Sequence, residues 1–220
     1  MKIIVVGDIH GKFDIFNEFI FLEKPDIIIQ CGDNAYYWKK ENKGVIKPQN
    51  TKIYFIPGNH DNWDLFEEKI GRYGKDPIEI KKNIFMCPIG STLIINKLTI
   101  LFIGGADSID KKYRLPKISW WNQEILTYED FKYIKENVKK ADIVISHTCP
   151  IFFNVEVPCY DEVNDPSRQI LNLICQKYKP KIWIFGHWHK YLENIYKKTN
   201  TKWVCLNMMP DEDWYKYLFL

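Results

Sequence analysis

All five histidines of the chain, His10, His60, His147, His187 and His189, lie at or within a few residues of the end of a short apolar run. Asp8, Asp33 and Asn59 occupy three of the same run ends. Taken singly, each imidazole reads as an ordinary surface or core histidine. Their shared placement is what points to chemistry. Imidazole nitrogens and carboxylate oxygens gathered in one place suit borderline divalent ions such as manganese, iron or zinc. A carboxylate can bridge two ions, and an asparagine carbonyl adds an oxygen ligand without adding charge. These residue types therefore favour a metal site.

The runs that carry these residues span 3–6, 27–29, 53–56, 100–103, 143–145 and 182–185. Short, β-branched and without polar alternation, they read as strands buried on both faces. Helical patterns at 13–22, 64–70, 128–139 and 167–178 lie between them. Thr127 with Asp130, and Asp165 with Pro166, mark two of the helix starts. Strand–helix alternation predicts an α/β architecture with largely parallel strands. Runs 84–89, 92–95 and 98–103 predict a β-meander, and 193–196 with 202–206 a hairpin. The expectation is two sheets face to face with helices outside, in one domain over residues 1–220. Parallel strands bind ligands at their carboxyl ends. The long connections 36–52, 107–123 and 148–166 leave from those ends and are expected to wall the site.

Composition narrows the partners. The 220 residues are 46% hydrophobic and 27% charged, as in ordinary globular proteins. The 31 basic residues nearly match 28 acidic ones, so the net charge of +3 does not indicate nucleic acid. Cys31, Cys87, Cys149, Cys159, Cys175 and Cys205 form no C-x-x-C pair and read as buried, reduced thiols. The first apolar run is too short for a secretory leader, and no stretch approaches the roughly 18 apolar residues that span a bilayer. A cytoplasmic protein without a membrane partner is expected. Sequence leaves the oligomeric state open, and leaves the aromatic tail after Pro210 either packed on the core or self-associating.

Gly7-Asp8-Ile9-His10-Gly11, Gly32-Asp33, Gly58-Asn59-His60-Asp61, Ser146-His147 and Gly186-His187-Trp188-His189 occur in that order. They resemble the five motifs of the calcineurin-like metallophosphoesterase superfamily. The resemblance covers most of the chain and implies a four-layer αββα sandwich of two mixed sheets flanked by helices. It implies that Asp8, His10, Asp33 and His189 surround one ion, and that Asp33 bridges to a second held by Asn59, His147 and His187. Manganese is the first choice for both ions, with iron, zinc or magnesium as alternatives. The implied reaction is hydrolysis of a small phosphomonoester or phosphodiester by a hydroxide bridging the ions. His60 would protonate the leaving oxygen. Asp61 reads as the N-cap of the helix that follows.

Departures from the superfamily's better-known branches narrow the reading. The protein Ser/Thr phosphatases carry an Asp-Arg pair after Gly-Asp and a Glu after Asn-His; here the chain has Asn34-Ala35-Tyr36 and Asp61. Tyr36 is similar in placement to a ligand of the purple acid phosphatases, but His10 fills that role here, which leaves Tyr36 to pack. The stretch from Gly104 through Arg114 to Trp120 and Trp121 resembles a branch of small phage and bacterial members. Arg114 either clamps a substrate phosphate or is solvated or paired with Asp107. Trp120 and Trp121 are expected to pack the loop. The basic loop Lys39, Lys40, Lys43 and Lys47 reads as a solvated face. Two other readings are a non-catalytic scaffold of the same fold and a nuclease. Scaffold members usually lose ligands, and here all seven positions and His60 are filled. A nuclease would normally carry a larger basic surface or an extra domain.

Overall fold

The computed structural model describes residues 1–35, 45–156 and 164–220. Tyr36, Lys39, Lys40, Lys43 and Cys159 lie outside them. In chain order the elements are β1 (Ile3–Val6), α1 (Phe13–Glu23), β2 (Ile27–Gln30), β3 (Lys52–Phe55), α2 (Trp63–Ile70), β4 (Ile78–Lys81), β5 (Ile84–Met86), β6 (Thr92–Ile95), β7 (Leu98–Ile103), α3 (Tyr128–Asn137), β8 (Ile143–Ser146), α4 (Pro166–Tyr178), β9 (Ile182–Phe185), β10 (Leu192–Tyr196), β11 (Thr201–Cys205) and β12 (Tyr215–Tyr217).

Among the described residues two six-stranded sheets form, in the orders β12-β1-β2-β3-β5-β4 and β10-β11-β9-β8-β7-β6. In each, four central strands are parallel and the edge strands run antiparallel. Successive side chains point to opposite faces of a strand. Ile3 and Val5 accordingly join a cluster with Ile29, Tyr54, Phe102, Ile145 and Val204, drawn from both sheets. Ile4 and Val6 join the cluster that takes in the helix residues Phe16, Ile20, Phe66, Ile134 and Ile174. Tyr54 of one sheet and Phe102 of the other lie parallel, their centroids 6.4 Å apart. This is the two-sheet sandwich with outer helices that the unalternated runs imply.

The expected β-meander does not form. β5 pairs parallel with β3 in the first sheet, whereas β6 and β7 form a hairpin in the second. Pro88 has no N–H for a ladder, the Ser91 hydroxyl donates to its carbonyl at 2.7 Å, and Gly90 takes φ +85°. The segment therefore turns and crosses between sheets. The C-terminal tail packs back on the core: β12 pairs antiparallel with β1, and Trp214 and Leu218 are buried. Among the described residues no helix is long and apolar enough to cross a membrane. Cys31, Cys87, Cys149, Cys175 and Cys205 are buried thiols.

Two helix starts, those of α3 and α4, follow the capping signals. The Asp165 carboxylate accepts from the Arg168 N–H at 3.0 Å. Asp130 accepts from the Thr127 N–H at 2.7 Å and also takes both arms of Arg72, each at 2.8 Å. Arg72 donates as well to the Gln123 carbonyl at 2.8 Å. The fully buried Asp130 thus joins α3 to the chain that leaves α2. Removing one partner of such a pair strands the other charge. Asp130→Ala is expected to lower unfolding free energy by about 3–5 kcal/mol, as measured by urea denaturation.

Candidate metal centre

Each candidate residue sits just past the carboxyl end of a parallel strand: Asp8 and His10 after β1, Asp33 after β2, Asn59 and His60 after β3, His147 after β8, and His187 and His189 after β9. His10, Asp33, His187 and His189 adopt positive φ, between 44° and 70°. Such backbone is uncommon for non-glycine residues, and here it occurs where the strands give way to the site. Two glycines make the close approaches possible. A Cβ at Gly58 would collide with the Asp33 carboxylate, and one at Gly186 with that of Asp8.

The side chains form two groups that share Asp33. Asp8, His10, Asp33 and His189 offer ligand atoms all within 4.8 Å of one another. His189 Nε2 lies 3.2 Å from Asp8 Oδ2, and the Nε2 atoms of His10 and His189 are 3.1 Å apart. In the second group Asn59 Oδ1 lies 2.9 Å from His147 Nε2 and 3.0 Å from His187 Nδ1. Asp33 Oδ1 is 3.5 Å from His147 Nε2. All seven expected metal positions are therefore brought together. Ile109, Asp110, Arg114, Trp188 and Lys190 complete the wall of a cleft of about 390 Å³.

This arrangement fits cations. Asp8 and Asp33 are both essentially buried, and uncompensated carboxylates are costly there. His147 Nδ1 bonds the Cys31 carbonyl at 2.7 Å, which places a proton on Nδ1 and turns Nε2 toward two oxygens. A bare nitrogen in that position is repelled unless a positive charge intervenes. Burial works against the His147 imidazolium, yet Asp33, Asp8 and the Cys31 carbonyl push it up to about 9. Burial also opposes an ionised Asp33, but His147, His60 and His10 hold its carboxyl well below the usual range. Burial, reinforced by His147, holds His187 well below the ordinary histidine value. The carbonyl partner of His147 also fixes its tautomer and ring orientation, as partners of metal-ligating histidines commonly do.

His60 lies at the edge of the cleft, its N–H donating to Asp33 Oδ1 at 2.8 Å. Its Nε2 is 2.6 Å from Arg114 Nη2. A guanidinium only donates, so Nε2 is the acceptor in this arrangement. Burial, then the Arg114 charge, lower the His60 value against the pull of Asp33. Arg114 is neither solvated nor paired with Asp107. Its Nε pairs with Asp110 Oδ1 at 2.7 Å and its Nη1 donates to the Asn59 backbone carbonyl at 3.0 Å, while Asp107 pairs with Lys111. Trp121 is buried, with Nε1 donating to Asp64 at 3.2 Å, and Lys47 is exposed.

Asp61 does not cap α2. Asn62 does, accepting from the Leu65 N–H at 3.1 Å. Asp61 is buried and accepts instead from the N–H groups of Ala35 at 2.7 Å, Gly58 at 2.8 Å and Asn34 at 3.2 Å. Burial, with Asp33 nearby, pushes its carboxyl up to about 6. Sequence reading also passed over Ser108 and Glu124. The Asn59 amide nitrogen donates to Ser108 Oγ at 3.0 Å, and the Ser108 hydroxyl donates to Glu124. Burial pushes Glu124 up to about 7, against the bond from Ser108. No spacing rule singles out these two among the polar residues of the loop.

The calcineurin-like phosphoesterase family profile matches residues 1–191. The chain belongs to that family. Among curated proteins it is similar to phosphoinositide phospholipase C 9 of Arabidopsis thaliana, 23% identical over 148 residues, which is 64% of this chain and 26% of that protein. The chain thus spans about a quarter of the curated relative it matches. Among solved structures it is similar to TT1561 of Thermus thermophilus, with TM-score 0.53 and 12% identity over 94% of this chain and 89% of that one. It is also similar to GAP50, the anchor in the inner membrane complex of Plasmodium, with TM-score 0.53 and 13% identity over 100% of this chain and 77% of that one. At these identities the structural likeness concerns the fold alone.

The two neighbouring polar residues at the start of α2 separate by experiment. Asn62→Ala is expected to cost about 1 kcal/mol, as loss of a cap does. Asp61→Ala removes three backbone hydrogen bonds to a buried carboxylate and is expected to cost more, at least about 2 kcal/mol. Urea unfolding of the two variants side by side measures the difference.

Proposed function

We propose that the chain is a binuclear metal-dependent hydrolase of small phosphate esters. Asp8, His10, Asp33 and His189 hold one divalent ion, and Asp33, Asn59, His147 and His187 the other. The observation that carries this reading is the convergence of seven donors from five distant segments into two groups sharing Asp33, beside a cleft with Arg114 and Lys190 in its wall. The mixed nitrogen and oxygen donors favour manganese, with iron, zinc or magnesium as competitors. The buried thiols support a reducing, cytoplasmic setting.

When bound, two such ions supply Lewis acidity and an activated water at neutral pH. The chain's own residues supply position and protons. Arg114, braced by Asp110, presents a guanidinium that matches phosphate oxygens. When Arg114 turns its Nη2 donor to the ester, Nε2 of His60 is released. That nitrogen, a bare acceptor until then, takes up a proton from solvent and passes it to the departing oxygen. Lys190, held by the Glu156 carbonyl at 2.8 Å, adds positive charge to the wall of the cleft. Ile109 and Trp188 give the cleft apolar surface for the alcohol part of the substrate.

The direct test reloads metal-free protein with manganese, iron, zinc or magnesium and assays nitrophenyl mono- and diesters and 2′,3′-cyclic nucleotides. Turnover with two ions bound per chain is the expected result. Absence of turnover with every combination would leave a metal-binding scaffold. His60→Asn is expected to keep both ions but to lose about 10²–10⁴-fold in turnover of alkyl esters, the usual contribution of general acid catalysis. The loss should be smaller for nitrophenyl esters, whose leaving group needs no proton. Equal losses on both ester types would remove His60 from the acid role.

A further inference from the structure

We infer that Glu124 and Ser108 form a polar relay that fixes which way round the Asn59 amide sits, and so make its carbonyl oxygen a ligand of the second ion. They are positioning residues, and the inference rests on the binuclear reading above. A primary amide has nearly the same shape in either orientation, so its surroundings must choose between oxygen and nitrogen. Asn59 is 2% exposed, and little water reaches it to satisfy the wrong end. On one side lie His147 Nε2 and His187 Nδ1, 2.9 and 3.0 Å from the Asn59 oxygen. On the other lies Ser108 Oγ, 3.0 Å from the Asn59 nitrogen.

Sterics alone do not discriminate here, but hydroxyl direction does. A serine hydroxyl has one proton. That of Ser108 is committed to Glu124, whose carboxylate accepts it. Toward Asn59 the serine therefore presents a lone pair, which only the NH₂ end of the amide can meet. The flipped amide would set two oxygens face to face without a proton, and would turn its N–H groups at the ions.

Glu124 is itself anchored. It is fully buried, and Oε2 faces the Trp121 N–H at 3.5 Å. A Cβ at Gly105 would collide with the Glu124 backbone carbonyl, so the turn at 122–124 lies directly on the chain leaving β7. Trp121 bonds Asp64 of α2. The relay thus runs from a rigid turn, through one hydroxyl, to one ligand of one ion. The first-ion group contains neither Asn59 nor any residue that Ser108 or Glu124 contacts in this relay.

That asymmetry makes the test specific. Manganese is titrated calorimetrically into metal-free wild type, Ser108→Ala and Glu124→Gln at mildly alkaline pH, with electron paramagnetic resonance following the coupling of the ion pair. Glu124→Gln conserves shape but can donate to Ser108, which reverses the direction of the hydroxyl and favours the flipped Asn59. Both variants are expected to bind the first ion as wild type does and the second about 10–100-fold more weakly, the usual cost of losing a partner that orients a ligand. The spectrum of the coupled pair should give way to that of a single ion at matched loading. Unchanged affinity for the second ion in both variants would overturn the relay. So would equal weakening of both ions in Glu124→Gln, which would mark a general structural role. Wild type that binds fewer than two ions would instead overturn the binuclear reading, and the relay with it.

Discussion

The structure is organised around two carboxylates, Asp8 and Asp33, set in a buried position where the carboxyl ends of two sheets meet. Carboxylates so placed demand compensation, and the chain supplies only part of it. His187 donates its backbone N–H to both oxygens of Asp8, at 3.2 and 3.1 Å, and His60 donates its own to Asp33. The remaining field draws in imidazoles from both sheets. The positive-φ residues and the glycines that admit the carboxylates serve to bring these two charges close.

The sandwich makes this possible because both sheets are parallel at their centres. Parallel strands deliver all their carboxyl ends to one rim, and two face-to-face sheets deliver two such rims side by side. Donors separated by 179 residues, His10 and His189, thereby come within 3.1 Å. The apolar runs leading to them are buried on alternate faces, one against the opposing sheet and one under helices. The strands are therefore rigid supports for polar loops whose conformations would not otherwise be favoured.

Much of this was legible in the sequence for a simple reason. A strand buried on both faces has no polar residues, so the first Asp, Asn or His after it is conspicuous. The four helices of the described residues were readable from periodicity and caps, and their bounds shifted by only one or two residues. What stayed hidden depends on contacts between distant segments. Pro88 ends the ladder after β5, but nothing local names β3 as the strand that β5 joins. β4 and β12 are edge strands, half or fully exposed, and lack the apolar signature. Asp61 looks like a cap because its three backbone donors come partly from Asn34 and Ala35, in a different loop. Arg114 could not be matched to Asp110 over Asp107 without the turn at Lys111–Tyr113 that sets its direction.

The closing strand has a consequence for biosynthesis. The loop that carries Asp8 is stitched to residues far along the chain: the Gly7 N–H donates to the Trp214 carbonyl at 2.8 Å, and the Met209 N–H to the Asp8 carbonyl at 2.8 Å. Lys12 Nζ reaches the Met209 carbonyl at 2.5 Å. A nascent polypeptide cannot make these bonds until residues 209–217 have emerged from the ribosomal exit tunnel. The motif at residues 7–11 is thus locked in place only after residues 209–217 have been made.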